Sequence, residues 1–113
     1  MIYAVQDVHR KNMQGVLVPV HDVGPASRYG DVTFLLGPEA KPYDPEEVII
    51  QLREKLKTFG KDDYILPIGN PLFIGWATAI ANHYSDTVAM LYWNRKKKQY
   101  SIVDSDLTYL DVG

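Results

Sequence analysis

The stretch Asp62–Tyr84, DDYILPIGNPLFIGWATAIANHY, leaves a chain little freedom in how it folds. An apolar stretch ends at Gly69-Asn70-Pro71, and an almost wholly apolar segment follows at once. Asn70 is a good helix cap, and Pro71 has its φ already suited to a first helical position. After them Leu72, Phe73, Ile74, Trp76, Ala77, Ala79, Ile80 and Ala81 leave almost no polar face. A helix apolar all round is buried on most sides. Gly75 and Ala79 stand four apart, so one flank is expected to approach another backbone closely. The helix is therefore expected between a sheet and a second layer, or against a second subunit.

A different helix precedes it. In PEAKPYDPEEVIIQLREKLKTFG, Asp44 is placed to accept a hydrogen bond from the first turn, Pro45 opens the helix, and Glu47 stands three after Asp44 as in a capping box. Val48, Ile49, Leu52, Leu56 and Phe59 recur at helical spacing, and Gly60 offers a left-handed stop. This spacing predicts an amphipathic helix lying on a sheet.

Around the helices the chain reads as strands. Ile2–Val8 is one, followed by a polar turn at His9–Gly15. Val16–His21 is a second, with Pro19 confining it to an edge or a bulge. Asp22–Gly30 has turn chemistry throughout, and Asp31–Gly37 is a third strand. TVAMLYW and YSIVDSDL form a hairpin around NRKKKQ, with Trp93 facing Tyr100 and Leu91 facing Ile102. Asp62-Asp63 is expected to close the turn after the first helix. Thr108–Gly113 reads as a tail with one acid, Asp111. The order is ββ-β-α-β-α-ββ. It implies at least two crossovers and an α/β fold: a small mixed parallel/antiparallel sheet with two principal helices. At 113 residues, 46% of them hydrophobic, residues 1–113 are expected to form a single α/β domain with a core of its own.

Composition narrows the chemistry. No cysteine is present, which excludes disulfides and thiolate metal sites. No apolar run approaches the roughly 20 residues that span a bilayer, and no secretory signal opens the chain. No membrane association is expected. The formal net charge of −2 supplies no global field for nucleic acid. No metal and no cofactor are expected, and no catalytic constellation is assigned.

Four features of the sequence have the chemistry of a site. Gly69, Asn70 and Pro71 make a strand-to-helix turn of the kind that binds anions, because helix N-termini point N–H groups outward. However, no phosphate-loop motif is present, Pro71 lacks an N–H, and simple capping is the favoured reading. His21-Asp22 opens a glycine-rich loop with Ser27 and Arg28, and a nucleophile, a base and an anion clamp can be drawn there. Neighbouring strand residues point to opposite faces, so a solvated strand end is favoured, with His21 and Arg28 kept as ligand-binding candidates. Asp104 and Asp106 share a strand face, which a metal could use but solvent more often covers. Arg95, Lys96, Lys97 and Lys98 lie beside Trp93 and Tyr100, a combination resembling a single-strand nucleic-acid platform. A solvated hairpin tip is favoured there too. Eight tyrosines and two tryptophans lean towards protein association, with Trp76, Trp93 and Tyr100 as candidates.

Several segments together carry a resemblance. MIYAVQDV, ASRYGDVTFLL, DDYILPIGNPLFIGWATAIA and LYWNRKKKQYSIVDSDL look like a family of small uncharacterised proteins of tailed phages, notably marine podoviruses. Asn70 stands where that family has the Asp of a Gly-Asp-Pro turn. Asn94 stands where it has the Asp of a Trp-Asp-Arg turn. Those departures argue against an obligatory carboxylate at either turn, since Asn caps and turns equally well. The resemblance implies a viral source and a host-cytoplasmic setting, and no mechanism.

Three functions are compatible with these features. The first is a phage accessory protein that binds a host or phage protein without catalysis, most simply as a homodimer paired through its apolar helix. The second is a nucleotide- or small-anion-binding protein, or a hydrolase, using Gly69–Pro71 with His21 or Arg28. The third is nucleic-acid binding through Arg95–Lys98, which is not favoured.

Overall fold

The computed structural model describes residues 1–106; the tail expected at 108–113, with Asp111, lies outside the described residues. The elements in chain order are β1 (Ile2–Gln6), β2 (His9–Lys11), β3 (Leu17–Pro19), a 3-10 helix (Gly24–Tyr29), β4 (Val32–Leu36), α1 (Pro45–Leu56), β5 (Tyr64–Leu66), α2 (Pro71–Tyr84), β6 (Thr87–Asn94) and β7 (Gln99–Asp106).

Five strands form one sheet in the order β4-β1-β5-β6-β7. β1 runs parallel to both β4 and β5, and β5 parallel to β6; only β6 and β7 are antiparallel. The mixed sheet with two principal helices is thus as expected. β1 is an interior strand, second in the order, and pairs in parallel with both of its neighbours. All five of its residues are buried, which suits an interior parallel strand covered on both faces. The segment read as a polar turn contributes β2, which pairs only with β3 in a separate two-stranded ribbon.

Side-chain alternation along β1 divides the core. Tyr3 and Val5 join Val48, Leu52 and Leu56 of α1 and Phe73, Ala77 and Ala81 of α2 on one face. Ile2 and Ala4 join Ala26 of the 3-10 helix, Leu66, Leu91 and Tyr100 on the other. Both α-helices therefore cover one face, and a single 3-10 helix covers the second. Each fully buried aliphatic or aromatic side chain contributes about 1.5–3 kcal/mol.

Local chemistry explains the helix ends, with two corrections. Asn70 Oδ1 accepts from the Leu72 N–H at 2.9 Å, as its cap role requires. Asp44 is the N-cap residue of α1 but makes no side-chain cap bond. Gly60 does not provide a left-handed stop, since the only positive-φ glycines among the described residues are Gly15, Gly30 and Gly69. Instead Asp63 Oδ2 accepts from the Gly60 N–H at 2.9 Å, so Asp63 does close that turn. Lys55 reaches from α1 to the carbonyls of Phe34 and Leu35, at 3.3 and 2.9 Å. The expected close backbone approach at Gly75 is not made: among the described residues nothing lies within 4 Å of where its Cβ would stand.

Candidate functional site

In open parallel sheets, ligands bind at the carboxyl ends of strands, where neighbouring strands send the chain to opposite faces. Here that place lies between β1, which leads to the 3-10 helix, and β5, which leads to α2. A protein side chain fills it. Gln6 is buried. Its Nε2 donates to the Gly37 carbonyl at 3.3 Å, and its Oε1 accepts from the Asn70 N–H at 3.0 Å. Gly69 has φ +114°, and a Cβ built on it would collide with the Gln6 Cβ. The glycine therefore serves a close approach by Gln6. Of the N–H groups expected to meet an anion, those of Asn70 and Leu72 are engaged within the chain.

An open cavity lies beside this crevice. It measures about 470 Å³. Its floor is Leu66, Pro67 and Ile68 at the end of β5 and Leu91 on β6; Trp93 and Tyr100 form a wall, and Val20, His21, Asp22 and Pro25 form the cover. The sequence makes this cover locally. Asp22 Oδ1 accepts from the Gly24 N–H at 2.9 Å, which turns the chain, and Pro25 opens the 3-10 helix. The Tyr29 hydroxyl then donates to the Tyr100 carbonyl at 2.8 Å and ties the 3-10 helix to β7.

The wall is aromatic. Trp93 faces Tyr100 in register, as expected, with ring centroids 4.9 Å apart in an edge-to-face arrangement. Tyr100 is buried, while Trp93 keeps 37% of its surface exposed. Burial, and then the charge of Asp22, raise the Tyr100 hydroxyl above its ordinary value. A second cavity, of about 560 Å³, adjoins the other side of the Val20–Asp22 segment and is lined also by Asp7, His9 and Phe34. There His9 Nδ1 lies 3.6 Å from Asp7 Oδ1 and has no hydrogen-bond partner among the described residues. No cluster of three or more His, Asp or Glu placed to hold a metal occurs among the described residues.

The fold brings some sequence candidates together and separates others. His21, Trp93 and Tyr100 meet at the first cavity, next to the chain that leads into Gly69–Pro71. Arg28 is exposed on the 3-10 helix, with its guanidinium 5.3 Å from the Tyr29 ring, and does not line the cavity. No hydrogen bond joins Ser27, His21 and Asp22 among the described residues. Trp76 packs against Phe73 on the two-helix face, away from Trp93. Arg95–Lys98 form the tip of the β6–β7 hairpin. Asn94 Oδ1 accepts from the N–H groups of Lys96 and Lys97, both at 3.1 Å. Asp104 and Asp106 lie on β7, the edge strand. Sequence reasoning missed Gln6, Val20, Pro25 and Leu66–Ile68. Only Leu91 carried a signal, because it shares a strand face with Trp93.

Fold and site together define a small α/β protein with an open, largely apolar site at the carboxyl ends of its parallel strands. The chain belongs to the family of Phage Pam3 gp32-like proteins, whose model matches residues 1–107. The phage association implied by the resemblance is thus shown, and it is not specific to podoviruses. No curated protein and no solved structure matches the chain. No helix among the described residues is long and apolar enough to cross a membrane.

Proposed function

We propose that this protein acts in the host cytoplasm by binding, without catalysis, and that it takes up an apolar side chain of a host or phage protein in the cavity beneath Val20–Pro25. The observation that carries this reading is the cavity itself. It is lined mainly by aliphatic and aromatic groups, with His21 and Asp22 as polar handles. Well-packed pockets that accept one large side chain are where protein interfaces concentrate their binding energy. A homodimer through the exposed strip of α2, formed by Leu72, Gly75 and Ala79, belongs to the same reading.

The anion-binding alternative at Gly69–Pro71 has less support, because Gln6 and Asn70 occupy the groups it needs. A nucleic-acid role for Arg95–Lys98 also has less support, since Tyr100 is largely buried and packs edge-to-face against Trp93 instead of lying open as a stacking platform.

The test is affinity capture of the tagged protein from phage-infected cells, in parallel with Val20→Trp, which fills the cavity from its exposed cover. The expected result is a protein retained in stoichiometric amount by the wild type and lost from the variant. Equal retention by both, or retention of nucleotide or nucleic acid alone, contradicts the reading.

A further inference from the structure

We infer that the partner segment carries acidic residues next to its apolar anchor, with the cavity taking the anchor and the Arg95–Lys98 tip taking the carboxylates. This inference rests on the binding reading above and names the chemistry of the partner. Trp93 and Tyr100, which line the cavity, stand one residue before and one residue after the last hairpin pair, Asn94 and Gln99. At about 3.3 Å per residue, the four cations lie within roughly 10 Å of the cavity wall, about one Debye length at 0.1 M salt. All four residues are exposed, and none takes part in an ion pair among the described residues. The chain as a whole is formally −2, so the tip is a basic point on an acidic molecule.

The tip is also held in place. Asn94 ties down the N–H groups of Lys96 and Lys97. Lys98 adopts φ +52°, where Gly or Asn would be less strained. A cation thus stands at a position whose backbone favours Gly, Asn or Asp. Cations on a fixed turn lose less freedom on binding than those on a mobile loop. A peptide can place an apolar residue in the cavity and its acids further along, over the tip. A nucleic-acid strand instead carries a phosphate at every nucleotide, including the one whose base would enter the cavity that Asp22 lines.

The probe is a library of random dodecapeptides displayed on filamentous phage, selected on the immobilised whole protein at low salt. Selected peptides are then measured against the wild type, Val20→Trp, and a variant with Arg95, Lys96, Lys97 and Lys98 all changed to Ser. Circular dichroism verifies the fold of each. The expected selection is one aromatic or large aliphatic residue with two or more acids close by. Binding should weaken by roughly tenfold in the Ser variant and fall steeply with salt, and it should be lost in Val20→Trp. Apolar peptides without acids, bound equally by the Ser variant but not by Val20→Trp, would overturn the charge inference and leave the cavity reading standing. No enrichment, or equal binding by Val20→Trp, would overturn both. Tight, salt-sensitive binding of a single-stranded oligonucleotide that displaces the peptides would overturn the inference in favour of nucleic acid.

Discussion

Gln6 is the residue on which the centre of the sheet turns. It supplies a donor to one loop and an acceptor to another, and Gly69 exists in the form it does to let Gln6 approach. Gly69→Ala should therefore cost about 2–4 kcal/mol, from a left-handed backbone and from overpacking together. Gln6→Ala should cost about 1–3 kcal/mol by leaving the Asn70 N–H and the Gly37 carbonyl without their partner. Urea unfolding measures both. Tyr100 makes a prediction of a different kind. Its folded-state value is raised, by burial first and by Asp22 second, from the ordinary 10.0. The unfolded chain ionises it near that ordinary value, and the folded chain only above it. Its contribution is complete below about pH 10 and is lost as the pH rises through the raised folded value. Tyr100→Phe should flatten that part of the alkaline stability profile, and Asp22→Asn should narrow it.

At the level of elements, the two helix starts behave differently although their sequences look alike. Asn70 makes its cap bond and Asp44 does not. Asn70→Ala should cost about 1 kcal/mol, and Asp44→Ala only a few tenths, through the dipole alone. Equal losses in thermal melts would contradict the structure. The contrast also marks what the sequence can carry. The positions of α1, α2 and the β6–β7 hairpin were legible because periodicity, Pro at the first position and cross-strand pairing act over a few residues. The failure of the Asp44 cap was not legible, because side-chain geometry decides it. The 3-10 helix was hidden behind Gly-Pro-Ala-Ser, which reads equally well as turn chemistry; the one clue was Pro25 next to a helix-compatible run. The pairing of β1 with β4 and β5 was not legible because parallel partners are set by distant contacts. The cavity was hidden for the same reason, since Val20, Leu66 and Trp93 share no local pattern.

For the whole molecule, covering is unequal. Two α-helices seal one sheet face, and a single short 3-10 helix lies on the other, where the cavity opens. α2 is better covered within the protomer than its composition alone suggests: Phe73, Ala77 and Ala81 are buried, and Ile74, Trp76 and Ile80 pack partly against the core. A dimer through Leu72, Gly75 and Ala79 should give light scattering at twice the 12.8 kDa protomer mass. Gly75→Lys should return it to the protomer mass with the fold intact, because none of the described residues lies within 4 Å of where its Cβ would stand. A single 12.8 kDa species for the wild type at micromolar concentration would remove the dimer.

Photo-crosslinking in infected cells reports directly on what enters the cavity. A photoreactive residue, p-benzoylphenylalanine, replaces His21 on the cavity cover or Ile50 on the outer face of α1. Both positions are exposed, and they lie on opposite sides of the sheet. A partner seated in the cavity gives one discrete protein adduct from position 21, abolished by adding Val20→Trp, and none of that mass from position 50. The same adduct from both positions, or from position 50 alone, would place the binding surface elsewhere and contradict the cavity reading.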